Sequence, residues 1–207
     1  AYVDAVRELG QLIWMQTADR DVALAPVEAA LEAAPEVVEL WTLRATLAAF
    51  AGDPAEQVWR ALTDGAPQNV LIEIAAAQTA LAFDLDLALT HAEAAVRLAP
   101  ADRAALLKLA EVCVVRGDKD RAVALLEPLQ ATAPEDQFVL ALLGGARRHE
   151  GGLFDYAGFV RGQTIDTPEG WSDLDAYLAD LAVSLRRLHT LRTHPVGQSL
   201  RHGTQTH

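Results

Sequence analysis

The feature that most constrains this chain is a phrase that returns at a fixed interval. Pro100 and Pro134 stand 34 residues apart, and each closes a similar stretch: His91-Ala-Glu-Ala-Ala-Val-Arg-Leu-Ala-Pro100 and Ala122-Val-Ala-Leu-Leu-Glu-Pro-Leu-Gln-Ala-Thr-Ala-Pro134. Pro26-Val-Glu-Ala-Ala-Leu-Glu-Ala-Ala-Pro35 ends the same way, and Val58-Trp-Arg-Ala-Leu-Thr-Asp-Gly-Ala-Pro67 does so more loosely. A second mark falls inside each interval, at Gly52-Asp53, Phe83-Asp84, Gly117-Asp118 and Gly151-Gly152. Each mark separates two apolar-periodic stretches of roughly 10 to 15 residues, which spells helix, tight turn, helix. Glycine can take the left-handed conformation that ends a helix. Aspartate can cap the next one, and proline cannot continue the second. Small residues at matched positions (Ala45, Ala76 and Ala110; Ala88 and Ala122; Ala61 and Ala95) let helices approach closely.

Composition narrows the functions. With 51% apolar and 22% charged residues the 207-residue chain is globular rather than disordered. The lone Cys113 excludes a disulfide framework and a cysteine-ligated zinc site. No apolar run is long enough for a transmembrane helix, and a cytoplasmic protein is expected. The opening Ala1-Tyr2-Val3-Asp4 has no basic n-region and no initiator Met, so it reads as an internal cut or processed end. A net charge of −12 argues against nucleic acid as a partner, because that binding needs Lys and Arg to neutralise phosphates. The charge is uneven: residues 1–180 carry −16, whereas residues 181–207 carry +4 and four of the six histidines.

On these residues the chain resembles the tetratricopeptide repeat family. The match runs through Trp41, Ala45, Gly52-Asp53, Ala61 and Pro67; then Ala76, Ala88, Ala95 and Pro100; then Leu106, Leu109, Ala110, Gly117-Asp118, Ala122 and Pro134. Repeats fall at 4–37, 38–68, 69–102 and 103–136, with a degenerate fifth at 137–163. Pro26 lies inside an expected helix, and the second repeat is three residues short. The resemblance implies an all-α fold, a right-handed solenoid of antiparallel helix pairs that binds a protein or peptide in its concave groove. By the family's geometry the groove positions are Glu8, Leu12 and Met15; Glu39, Thr42 and Thr46; Glu73 and Ala77; and Lys108 and Glu111. The Lys/Asn set with which some members clamp a terminal carboxylate is missing there. The four glutamates suggest a basic or neutral partner.

Residues 164–194 read as a loop and an amphipathic capping or linker helix over Trp171–Thr193. Ser172 and Asp175 fit a capping box. Leu174, Leu178, Leu181, Leu185 and Leu188 make one face apolar. That face either covers the end of the repeat array or pairs with another domain or a second copy. The tail 195–207 has no helical period, so Thr193–His207 must borrow its order from outside its own sequence. Charge makes docking onto the acidic repeats the expected route.

Little here points to chemistry. Walker, dinucleotide, nucleophile-elbow and zincin motifs are absent, so no catalytic or metal-binding residue is assigned. His91 and Glu93 sit two apart on a helix and diverge by about 200°. Cys113 reads as a buried small hydrophobe. Trp14, Trp41 and Trp59 read as core, or as groove anchors where partly exposed. The spacing of the C-terminal histidines matches no rigid metal site. Residues 188–206, through Leu188-His189, His194-Pro195 and Gln198-Ser-Leu-Arg-His-Gly-Thr-Gln-Thr206, resemble the entry to the catalytic region of 2-oxoglutarate/iron(II) oxygenases that carry N-terminal repeats. That resemblance implies iron(II) and 2-oxoglutarate as cofactors of a domain downstream, and none within this chain. Three readings stand: the repeat arm of such an oxygenase, a free-standing scaffold, or a protein that self-associates through residues 171–207.

Overall fold

The computed structural model describes residues 2–147, 158 and 160–196, and no strand occurs among them. Ten helices lie wholly within the described residues: α1 (Tyr2–Thr17), α2 (Arg20–Ala33), α3 (Val38–Phe50), α4 (Ala55–Thr63), α5 (Val70–Ala80), α6 (Leu85–Leu98), α7 (Arg103–Arg116), α8 (Lys119–Thr132), α9 (Gln137–Ala146) and α10 (Leu174–Leu188). Short turns force consecutive helices antiparallel. Each of α1 to α8 packs against the helix that follows it. In addition the backbones of α1, α3, α5, α7 and α9 approach in succession, whereas among the described residues α4, α6 and α8 reach one another through side chains, Trp59 to His91 and Arg121 to Glu93. The odd-numbered helices are thus one continuous inner wall and the even-numbered ones an outer layer. The result is an all-helical solenoid.

The sequence period reappears as bonds between neighbouring repeats. Arg20 grips Asp53 with two hydrogen bonds of 2.6 Å, across 33 residues. Arg103 donates to Asp136 at 2.5 Å across 33, and the Trp59 indole N–H to His91 Nε2 at 3.0 Å across 32. The Asp53 partnership pushes the Arg20 guanidinium further up from its already high value. Asp136 is held below the usual carboxylate range by Arg103 and by the N–H of Val139.

The turns depart in one respect from the capping expected of them. Gly52 and Gly117 take left-handed φ values of 97° and 85°. The N–H groups of Asp53 and Asp118 reach back five residues to the carbonyls of Ala48 and Cys113, at 3.0 and 2.8 Å. Neither carboxylate then caps the next helix: Asp53 is taken by Arg20 and Asp118 turns towards Arg116. Asp84 does cap, accepting from the N–H of Asp86 and Leu87 at 3.0 Å each. Asp19, Asn69, Asp102 and Asp136 do the same for α2, α5, α7 and α9. At α10 the cap is Asp173, which accepts from the Ala176 N–H at 2.8 Å, and not Ser172, whose hydroxyl donates to Asp173. That shift starts the helix at Leu174. Pro26 does not break α2, nor Pro128 α8. Gly151-Gly152, with the rest of 148–157 and 159 in the fifth unit, lie outside the described residues.

Two cores meet along the array. One gathers Ala77, Ala80, Ala88, Ala92, Ala110 and Ala122 around Val112, Cys113 and Leu126, all but inaccessible to solvent. Burial pushes the Cys113 thiol up from its ordinary value, so it stays protonated and inert. The other gathers Leu24, Val27, Leu31, Leu40, Leu43, Leu47 and Val58. Gly10 lets α1 close onto it: a Cβ there would stand 3.0 Å from Leu47 and 3.1 Å from the Ala23 carbonyl.

The last helix stands apart. None of its residues is buried, and among the described residues it touches no other helix. The expectation that it covers the end of the array is therefore not met within these residues. Leu178, Leu181, Leu185 and Leu188 remain 36 to 60% exposed.

Candidate protein-binding groove

The inner wall carries the residues that helical geometry marks as groove-lining, and it sorts them into three groups. Glu8, Leu12, Glu39 and Thr46 are exposed, and Thr42 is half-buried. The Thr42 and Thr46 hydroxyls are not idle: each donates to a carbonyl one turn back, of Glu39 and Thr42. These five keep side chains at the surface of the described residues. Met15 and Ala77 do not. Ala77 is fully buried in the alanine seam between α5 and its neighbours. Met15 is 3% exposed and packs with Trp14 and Ala23 under the C-terminal segment. Ala77 is thus a packing residue, whereas Met15 is covered by the C-terminal segment itself.

The remaining three are engaged with neighbours. Glu73 Oε2 lies 2.7 Å from His91 Nδ1. Since His91 Nε2 accepts from the Trp59 indole, its proton sits on Nδ1 and is donated to Glu73. A Trp–His–Glu relay thus ties α4, α5 and α6 together. Glu93, in contrast, pairs with Arg121 at 2.7 Å, so His91 and Glu93 serve different partners. Lys108 is clasped between Gln78 of α5 and Glu111 of its own helix. Of the four groove glutamates, only Glu8 and Glu39 are exposed with no ion-pair partner among the described residues. The wall is less acidic than its sequence suggests.

The C-terminal segment lies in the groove. Beyond α10 the chain returns to the first two odd-numbered helices. The Arg192 N–H donates to the Met15 carbonyl at 2.9 Å, one of the acceptors left over at the end of α1. Leu191 and Val196 pack against the Trp14, Met15 and Ala23 cluster. The His194 ring stands edge-on to Trp14, centroids 5.8 Å apart, and tilted over Phe50 at 5.9 Å. Pro195 is fully buried. Beside Val196 a cleft of about 190 Å³ stays open between Arg7, Gln11, Thr42, Leu43, Thr46 and Leu47.

Borrowed order is what the composition of this segment requires, but the means differ from expectation. Within Leu191–Val196 Arg192 is exposed, and the described contacts of this stretch are aromatic, aliphatic and main-chain. Charge counting missed Phe50, Gln11 and Arg7 because it looked for acids. The signal available was His194-Pro195, an extended dipeptide between two aliphatic residues. Residues 197–207, with His202 and His207, lie outside the described residues.

Trp41 and Trp59 act as struts. Trp41 donates to the Pro35 carbonyl at 2.8 Å and lies against Gly65, where a Cβ would stand 2.8 Å from the ring. No cluster of three metal-ligating side chains occurs among the described residues, and none of their helices is long and apolar enough to cross a membrane.

Comparison with known proteins agrees with this architecture. Residues 79–144 match the family model of the tetratricopeptide repeat. A tetratricopeptide repeat protein from Parabacteroides merdae superposes with a TM-score of 0.57 at 15% identity, over 72% of this chain. The match spans 59% of that protein. The MamA protein superposes with a TM-score of 0.53 at 18% identity, over 72% of this chain and 83% of its own. No curated protein matches the chain. The family model and both structures support a tetratricopeptide repeat fold.

Proposed function

We propose that this chain is a protein-protein interaction scaffold that holds an extended polypeptide along the inner wall formed by α1, α3, α5 and α7. The observation that carries the reading is that a stretch of polypeptide, Leu191–Val196, already lies against α1 and α3, with a main-chain hydrogen bond to Met15. Tetratricopeptide domains in general bind proteins or peptides, which supports it. The partner is neutral or mildly basic where it passes Glu8 and Glu39. Selection from a random peptide library on the full chain tests this. The expected result is a consensus whose binding is lost on Thr46→Arg and Leu12→Arg but survives Glu127→Lys on the outer layer. No consensus, or binding indifferent to the inner wall, would overturn it.

Self-association is a second proposal, favoured by α10. Leu174, Leu178, Leu181, Leu185 and Leu188 recur at the alternating four- and three-residue steps of a coiled-coil seam. Two copies laid antiparallel set Asp173 and Asp175 of one against Arg186 and Arg187 of the other. Sedimentation should detect a dimer that Leu181→Arg abolishes; a monomer at all concentrations rejects it. A third proposal, that the natural chain continues into an iron(II)/2-oxoglutarate oxygenase, rests on the resemblance of residues 188–206. An H-x-D…H pattern in the coding sequence beyond His207 supports it, and a stop codon there excludes it.

A further inference from the structure

We infer that the α1/α3 end of the inner wall recognises segments of the form aliphatic-x-x-His-Pro-aliphatic, and that the chain's own Leu191–Val196 occupies this site as a resident competitor. The inference rests on the scaffold reading and adds the ligand class and its control.

Each position of the segment meets a distinct feature. Leu191 packs on Trp14, Met15 and Ala23. His194, 3% exposed, fills the space between the Trp14 and Phe50 rings. A lysine or arginine there would carry a charge into an apolar slot. Thr193 Oγ, 3.1 Å from His194 Nδ1, fixes the ring. Pro195, fully buried, holds its own φ and keeps the preceding residue extended, so the segment is largely preorganised for a groove. Val196 reaches the second core, on the side lined by Leu43 and Leu47.

The resident is also an imperfect fit. Trp14 is 7% exposed, yet among the described residues its indole N–H has no hydrogen-bond partner. The ~190 Å³ cleft beside Val196 has room for a larger side chain. A partner carrying leucine or methionine in place of Val196 fills that cleft and outcompetes the resident. A groove held by a weak internal ligand rejects poor partners and yields to good ones.

The test uses the full chain and a labelled nonapeptide spanning residues 188–196. In a His194→Gly/Pro195→Gly variant the resident loses both anchors. If the site is nine-tenths occupied in the wild type, the variant binds the peptide about tenfold more tightly. A Val-to-Leu change at the peptide's last residue tightens binding further, and Phe50→Asp in the same background removes it. Equal binding by wild type and variant, or no preference over a scrambled peptide, overturns the inference. Should that variant fail to fold, hydrogen exchange on the wild type decides instead. The Arg192 amide must be protected in a dilute monomer and lose protection when the peptide is added in excess. Protection that the peptide leaves unchanged, or that appears only as a dimer forms, refutes the resident competitor. Failure here leaves the scaffold reading intact if library selection returns an unrelated consensus that depends on the inner wall.

Discussion

Between α5 and α9 the helices meet largely through alanine, with Ala77, Ala80, Ala88, Ala92, Ala110 and Ala122 fully buried. Between α1 and α4 they meet through Leu24, Val27, Leu40, Leu43, Leu47 and Val58. Small side chains draw helix axes to the close end of the usual 8–10 Å range, and branched ones hold them further apart. The two halves differ in consequence. The alanine half keeps the spacing that makes a repeat recognisable, and residues 79–144 are the ones the family model matches. The leucine half carries the aromatic slot of Trp14 and Phe50 and receives the C-terminal segment. Regular packing and the contact with the C-terminal segment fall at different ends of one array.

The comparison breaks most sharply at the packing residues. Leu40→Ala in the leucine half leaves a cavity at a site with no accessible surface. It is expected to cost about 2–5 kcal/mol in denaturant unfolding. Ala110→Leu in the alanine half overpacks the seam at about 1–3 kcal/mol. If Ala110→Leu is tolerated, the alanine seam is not close-packed and the contrast fails.

Turn chemistry sharpens the comparison at the next level. Asp84→Ala removes two N–H partners from α6 and should cost about 1 kcal/mol, whereas Asp118→Ala, which removes no cap, should cost only a few tenths. Equal losses in thermal melts would show that Asp118 caps in solution.

The smallest effect has opposite signs in the two halves. α1 ends on Ala18 at φ 54°, while α7 ends on Gly117 at φ 85°. Ala18→Gly relieves a left-handed alanine and should stabilise by up to about 1 kcal/mol, whereas Gly117→Ala should destabilise by a similar amount. Unfolding midpoints that move the same way would remove this difference between the ends.

Much of the fold was written in the punctuation. Gly117 stops α7 because glycine alone takes that φ without strain, and the alanines announce close helices. Side-chain use within the turns was not legible. Asp53 and Asp118 look like caps, yet Arg20, brought in from 33 residues away, and Arg116, two residues back, claim their carboxylates. Of the candidate groove positions, Thr42, Thr46 and Glu39 lie on α3 and keep exposed or half-buried side chains. Whether Glu73 is available depends on His91 across the packing, which a single helix does not reveal, whereas the Lys108–Glu111 pair is an i,i+3 neighbour on α7 that helical spacing does offer. Ala77 and Met15 fall at groove phase but are covered by neighbours whose approach only the assembled array defines.

The hydrogen bond from Arg192 to Met15 joins the far end of the chain to its first helix. A repeat array is ordinarily a line in which each unit leans only on its neighbours, and a line frays from its ends. Tying the ends turns the line into a closed circuit. Loss of α1 then requires loss of the C-terminal contact as well, so the terminal unit borrows cooperativity from a segment 177 residues away in sequence. Release of that segment, by whatever displaces it, would reopen the circuit and hand the first repeat back its freedom to fray.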